Sequence, residues 1–116
     1  MSVENFSTYR TAFVFVQNIY CGKLSETDSG YTFSYDEEYQ KKTDTLPVSL
    51  TLPLSNQSYE SKILFPFFDG LIPEGWLLNA VSRSWKIDRH DRFGLLLAAC
   101  KDSVGDVSVK NSLEDL

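Results

Sequence analysis

The first half of the chain alternates apolar and polar residues in short runs, a pattern typical of β-strands. Residues 12–17 (AFVFVQ) are rich in β-branched and aromatic side chains, which favours a strand. Asn18 suits a tight turn, and residues 19–24 follow as a returning strand with Gly22 as a candidate bulge. Residues 31–35 (YTFSY) place three aromatic rings on one face and two hydroxyls on the other, so we expect a half-buried strand.

The most regular alternation in the chain lies in residues 46–54 (LPVSLTLPL). Every second residue is a leucine or valine, which predicts a strand with one buried face. Pro47 and Pro53 lack the amide hydrogen that a neighbouring strand would need. We therefore expect this strand at an edge of the sheet. The flanking residues 55–61 are polar and are expected to form a loop.

After residue 62 the pattern changes to helical. Residues 63–68 predict a short helix with Pro66 in its first turn, and Pro73 then begins a second helix that runs to about Trp85. The apolar run 93–100 predicts a third helix, and residues 107–109 a strand that returns to the sheet. Strands followed by helices predict an α+β fold. We expect a small antiparallel sheet, with this C-terminal strand, packed against a C-terminal helical part of about three short helices.

The length of 116 residues predicts one domain, with residues 1–10 and 111–116 as loose ends. The net charge of −5 disfavours direct binding to nucleic acids or to anionic membranes. Cys21 and Cys100 are far apart and are expected to be small buried hydrophobic residues. No signal peptide or apolar run long enough to span a bilayer is seen, so we expect a cytoplasmic protein with reduced thiols.

Residues with catalytic potential are few and scattered. His90 is the only histidine and lies among charged residues, so a solvated or capping role is expected. Asp69 and Glu74 are close enough to suggest an acid–base pair, but a turn cap and a first-turn helix carboxylate explain them more simply. The glycines form no phosphate-binding loop, and no cluster has the spacing of a metal site. We therefore expect no enzyme activity, no cofactor and no metal.

Recognition by a surface is the remaining possibility, and it centres on Trp76. Steps of 100° along the second predicted helix give one apolar stripe for the core: Leu77, Leu78, Val81 and Trp85. Trp76 and Arg83 fall on the opposite, outer side. Tryptophan is enriched in binding hot spots, so an outward Trp76 suggests a protein partner. The alternative is that Trp76 packs under the preceding loop, against Phe67 or Phe68.

Several segments together resemble the N-terminal subdomain of the HipA family of bacterial toxin Ser/Thr kinases. They occur in the family's order and cover most of residues 12–110: GKL (22–24), YTFSY (31–35), PVSLTLPL (47–54), FPFFDGLIPEG (65–75) and KDSVGDV (101–107). Any one of these segments would be a weak signal, but the combination is specific.

The resemblance stops before the kinase's catalytic motifs, which lie further along the chain in that family. This chain begins with Met1 and ends at Leu116, so we expect a free-standing protein. It is then similar to the small component of tripartite HipBST toxin–antitoxin systems. That resemblance implies an antitoxin that binds and neutralises a separate HipT-like Ser/Thr kinase toxin, with a HipB-like DNA-binding protein in the same complex.

The same resemblance leaves two alternatives open: a non-inhibitory structural subunit of a HipA-like kinase complex, and a fragment of a complete kinase gene. The residues expected to bind the partner lie in the segment around Trp76. They are Phe68, Asp69, Gly70, Ile72, Pro73, Glu74, Gly75, Trp76 and Arg83.

Overall fold

A computed structural model describes residues 9–72, 90–100 and 106–111. Five strands form one antiparallel sheet in the order β4-β3-β2-β1-β5. The strands are β1 Thr11–Val16, β2 Ile19–Thr27, β3 Gly30–Tyr35, β4 Tyr59–Ser61 and β5 Val107–Lys110. The helices in the described ranges are α1 Glu37–Lys41, α2 Pro66–Asp69 and α3 Arg92–Ala99. The predicted α+β class is confirmed.

The β1–β2 hairpin forms as its turn residues predict. Gln17 and Asn18 both have positive φ angles, 51° and 67°, the backbone that matches the twist of two antiparallel strands. The register shifts where Val14 faces Gly22 and Phe15 faces Tyr20, so the bulge falls at Cys21, one residue before the predicted site. The neighbouring Gly22 cannot carry a side chain, because a Cβ there would lie 2.4 Å from the Ser34 carbonyl oxygen.

Both outer strands join the sheet through residues distant in sequence. β5 pairs antiparallel with β1, as expected for the returning strand, and the Val109 amide also donates to the Cys100 carbonyl at 2.9 Å. At the other edge, Tyr59–Ser61 pairs with β3, although residues 55–61 were predicted as a loop. That prediction is wrong for β4. The Thr32 hydroxyl donates to the Tyr59 carbonyl at 3.0 Å, a cross-strand contact that a local pattern does not reveal.

Residues 46–54 do not form the predicted strand. Their backbone turns back on itself, with the Leu52 amide donating to the Ser49 carbonyl at 3.0 Å. Only Val48 and Leu52 are buried, whereas the other three apolar residues are exposed: Leu46, Leu50 and Leu54. The Ser49 hydroxyl accepts a hydrogen bond from the Thr51 amide at 3.2 Å, which favours the turn over an extended backbone.

Helices α2 and α3 lie where the sequence predicts helices, but their ends differ from the predicted ones. α2 begins at Pro66 and not at Ile63, because proline is suited to the first helical position and Ile63 lies outside the helix, 68% exposed. α3 covers the predicted run almost entirely, and the Asp91 carboxylate caps it by accepting from the Gly94 amide at 3.1 Å. The second predicted helix, 73–85, lies outside the described residues.

One face of the sheet packs against α2 and α3 to form the core. Phe33 from β3 is fully buried, and its ring lies 5.5 Å from that of Phe68 in α2. Cys21 and Cys100 are buried and unpaired, as predicted, and burial raises the pKa of their thiols to about 12 and about 11. Neither thiol is therefore ionised near neutral pH, so both serve as packing residues.

Candidate partner-binding surface

The helix α2 carries the first residues that were expected to contact a partner. Phe68 is fully buried, and its ring contacts those of Phe33, Phe65 and Phe67 at 5.2 to 6.3 Å. Ile72, just beyond the helix, is 3% exposed. The side chains of Phe68 and Ile72 therefore belong to this chain's own core, and their expected contact with a partner is not available in this structure.

The end of α2 presents two polar features at the surface. Asp69 was expected to cap a turn, but its carboxylate instead accepts from the Arg92 Nε at 2.7 Å. Gly70 is exposed and ends the helix by donating its amide to the Pro66 carbonyl at 2.9 Å. The ion pair joins the last residue of α2 to the first residue of α3. Both side chains are partly exposed, so the ion pair contributes little to the stability of the fold. Its main effect is to place two charged groups at this part of the surface.

A groove of about 400 Å³ runs beside this ion pair. Its lining combines aliphatic, aromatic and charged side chains: Tyr31, Lys62, Ile63, Leu64, Pro66, Asp69 and Arg92. Exposed apolar area next to paired charges is a common composition for the margin of a protein interface. The groove therefore brings apolar and charged side chains together where α2 meets α3.

The start of α3 is fixed by Arg10, at the end of the segment predicted as a loose lead-in. Its guanidinium donates to both oxygens of Glu26 at 2.9 Å and to both oxygens of Asp91 at 2.8 and 3.0 Å. It also lies 5.1 Å from the centre of the Phe93 ring. These hydrogen bonds hold the pKa of Glu26 and of Asp91 below their usual values. Arg10 therefore connects β1, β2 and the cap of α3.

The other predicted partner-binding residues lie outside the described ranges: Pro73, Glu74, Gly75, Trp76 and Arg83. The outward orientation of Trp76 therefore stays a prediction. His90 is described and exposed, and its carbonyl accepts from the Arg92 amide at 3.1 Å. Within residues 9–72, 90–100 and 106–111, no three His, Cys, Asp or Glu side chains come together as a metal site would require.

A second exposed apolar surface was not predicted from the sequence, because its leucines were expected to face the core. We call residues 46–54 the leucine loop. Leu46 is 53% exposed and Leu50 is 94% exposed, so two large aliphatic side chains face solvent from one short segment. A signal was present in the sequence. Two prolines bracket the Ser49–Thr51 pair, and this combination favours a turn as much as an edge strand.

The leucine loop is held in place by tyrosines of the surrounding elements. The Tyr35 hydroxyl accepts from the Val48 amide at 2.9 Å and donates to the Leu52 carbonyl. Tyr39 and Tyr59 each donate a hydroxyl at 2.6 Å, to the carbonyls of Leu46 and Pro53 respectively. Burial raises the pKa of Tyr35 to about 12, so this hydroxyl keeps its proton at neutral pH. The loop therefore has a defined conformation despite lacking strand partners.

The antiparallel sheet with its packed helices has an α+β architecture, and comparison with known proteins identifies its family. The model of the HipA N-terminal domain matches residues 12–110. A Haemophilus influenzae protein described as uncharacterized is 35% identical over 101 residues, which cover 87% of this chain and 92% of that protein. The chain belongs to the HipA N-terminal domain family.

A solved structure gives the same result. The N-terminal domain of HipA toxin matches with a TM-score of 0.67 and 31% identity, covering 89% of this chain and 92% of that domain. The shared fold and family associate this chain with toxin–antitoxin proteins. No helix among the described residues is long and apolar enough to cross a membrane.

Proposed function

We propose that this protein is a HipS-like antitoxin, which binds and neutralises a separate HipT-like Ser/Thr kinase. The observation that carries the proposal is the extent of the family match. Residues 12–110 correspond to the HipA N-terminal domain, and the similar solved domain is itself covered over 92% of its length. Such a module is suited to occupy, on a separate kinase, the place that it occupies when it is fused.

In this proposal the protein inhibits without catalysing any reaction of its own. Trp76 and the residues before it, together with Asp69 and Gly70 at the end of α2, meet the kinase. Two mechanisms are open: Trp76 blocks the kinase cleft, or docking holds the kinase lobes in a conformation that cannot transfer phosphate. We place this complex in the cytoplasm, with a HipB-like DNA-binding protein as a further component.

A second candidate function is a structural subunit that completes the kinase without inhibiting it. The burial of Phe68 and Ile72 favours this alternative, because part of the FPFFDGLIPEG segment serves the domain's own core and not a contact surface.

Kinase activity separates the two functions. An antitoxin lowers the phosphorylation of a protein substrate by a purified HipT-like kinase, whereas a structural subunit leaves it unchanged or raises it. For the role of Trp76, we expect Trp76→Ala to remain folded but to lose rescue of growth when co-expressed with the kinase. Truncating a hot-spot tryptophan costs roughly 2–4 kcal/mol of binding free energy.

The matched control is Tyr9→Ala, which removes another aromatic ring that is 39% exposed. We expect this variant to rescue growth normally. If a folded Trp76→Ala protein rescues growth as well as the wild type does, the mechanism centred on Trp76 is wrong.

A further inference from the structure

The leucine loop differs in chemistry from the rest of the surface. Between Asp44 and Glu60 the chain carries no charged residue, although 23% of the whole chain is charged. Leu50 lies in the middle of this uncharged stretch with 94% of its surface exposed, and Leu46 is half exposed. Solvent is an unfavourable environment for such side chains, and the transfer of a leucine from water to an apolar pocket is favourable.

The conformation of the loop is fixed before any partner binds. Three tyrosine hydroxyls make four hydrogen bonds to its backbone, and Gln40 Nε2 donates at 3.0 Å to the carbonyl of Ser55, the residue that follows the loop. The Ser49 and Thr51 hydroxyls bond to each other at 2.9 Å on either side of Leu50. A side chain presented on a rigid backbone loses little conformational entropy on binding, which favours affinity.

We infer that the leucine loop is a docking surface for the kinase, with Leu50 entering an uncharged, apolar pocket on that partner. The inference rests on the proposed function, and it adds a second contact to the one predicted around Trp76. It also divides the work between two sites. Leu50 contributes to affinity only, whereas Trp76 and its neighbours contribute to binding and also inhibit the kinase once the complex has formed.

Two properties of the chain favour the kinase over a second copy of this protein as the occupant. A stable interface buries about 800 Å² on each partner and involves roughly 20–30 residues a side, more than this short loop supplies alone. The partner must therefore cover other surfaces too, as the kinase does in the proposed function. A second copy would also carry the same net charge of −5, and the loop offers no cation to offset that repulsion.

The test compares two substitutions at one position, Leu50→Ser and Leu50→Met. Serine removes the apolar side chain, whereas methionine keeps an apolar group of similar size. The affinity of each purified variant for a purified HipT-like kinase is measured by isothermal titration calorimetry, independently of kinase activity. We expect Leu50→Ser to raise the Kd at least about tenfold and Leu50→Met to change it less than about threefold. At saturating protein, Leu50→Ser should still inhibit the kinase.

Three results would overturn the inference. They are that Leu50→Ser binds as tightly as the wild type, that the wild type does not bind the kinase at all, or that sedimentation of the protein alone reveals a dimer that Leu50→Ser dissociates. A different result addresses the proposed function only. If the wild type binds without lowering kinase activity, the antitoxin role fails, and the comparison of Leu50→Ser with Leu50→Met still decides whether the loop docks.

Discussion

Two segments of this protein share one sequence pattern and adopt different structures. Residues 31–35 and the leucine loop, residues 46–54, both have a large apolar side chain at every second position. The first segment lies in β3, between β2 and β4 in the sheet. The second folds back on itself and exposes Leu46 and Leu50. Alternation therefore predicts a strand only where the backbone can also find strand partners.

The difference lies in the available hydrogen bonds. β3 contains no proline, and its residues 31–33 pair with both β2 and β4. In the leucine loop, Pro47 and Pro53 have no amide hydrogen to donate, and the Val48 amide donates to the Tyr35 hydroxyl. Side chains from the folded sheet thus satisfy the loop backbone in place of a neighbouring strand. Tyr35 is the last residue of β3, so the conformation of the leucine loop depends on this strand.

The largest expected effect comes from the core position of β3. Phe33→Ala should lower the free energy of unfolding by about 3–5 kcal/mol, because it removes a fully buried ring that contacts Tyr35 and Phe68. Urea unfolding followed by circular dichroism measures this change. A loss below about 1 kcal/mol would contradict the assignment of Phe33 to the centre of the core.

The next largest effect is expected where the strand holds the loop. Tyr35→Phe keeps the ring but leaves the Val48 amide and the Leu52 carbonyl without the bonds they make to Tyr35, which should cost about 1–3 kcal/mol. Faster hydrogen exchange at the Val48 amide would locate the change in the loop.

The control for this prediction is Tyr31→Phe, since the Tyr31 hydroxyl has no hydrogen bond within the described part of the chain. This variant should unfold like the wild type. Equal effects of the two substitutions would argue that the Tyr35 hydroxyl does not anchor the leucine loop.

Acid should weaken the sheet beside β3 more than it weakens the loop. Arg10 lowers the folded-state pKa values of Glu26 and Asp91. The two carboxylates therefore contribute to the free energy of unfolding above the usual carboxyl pKa, and this contribution is lost as pH falls through the lowered values. Arg10→Met should lower stability at pH 7 by about 1 kcal/mol, since the pairs are partly exposed. It should also flatten the decline of stability in acid.

The measurement is the urea midpoint between pH 7 and pH 2 for the wild type and for Arg10→Met. Lys41→Met is a suitable control, because Lys41 pairs only with the exposed Glu38 at 3.5 Å among the contacts of the described residues. An identical pH dependence for Arg10→Met and the wild type would show that the three-residue network does not contribute.

The smallest effect on stability is expected at the exposed position of the loop. Leu50→Ser should change the free energy of unfolding by less than about 0.5 kcal/mol, because its side chain lies in solvent in the free protein. This small loss contrasts with the loss expected for Phe33→Ala, which changes a buried apolar residue in the other alternating segment. A loss of more than about 2 kcal/mol would indicate that Leu50 is buried in the folded protein after all.

Several elements could be predicted from local sequence because local physics determines them. Asn18 adopts the positive φ that a two-residue hairpin turn needs, Pro66 begins α2, and the 93–100 run forms α3. The candidate site was less predictable. The segment around Asp69 was found, but the packing of Phe68 and Ile72 into the core depends on how α2 lies against β3, which no spacing in the sequence specifies.

Local propensity, or a run of matching residues, is enough to predict the α+β class, the hairpin, α3, the returning strand β5 and the family resemblance. The three-dimensional fold was needed to show that Tyr59–Ser61 joins the sheet, that Asp69 pairs with Arg92, and that the leucine loop exposes Leu50. The physical reason is that a backbone amide or a charged side chain takes the partner that folding brings near. Such partners can be far apart in the chain: Tyr35 and Val48 are separated by 13 residues, and Arg10 and Asp91 by 81.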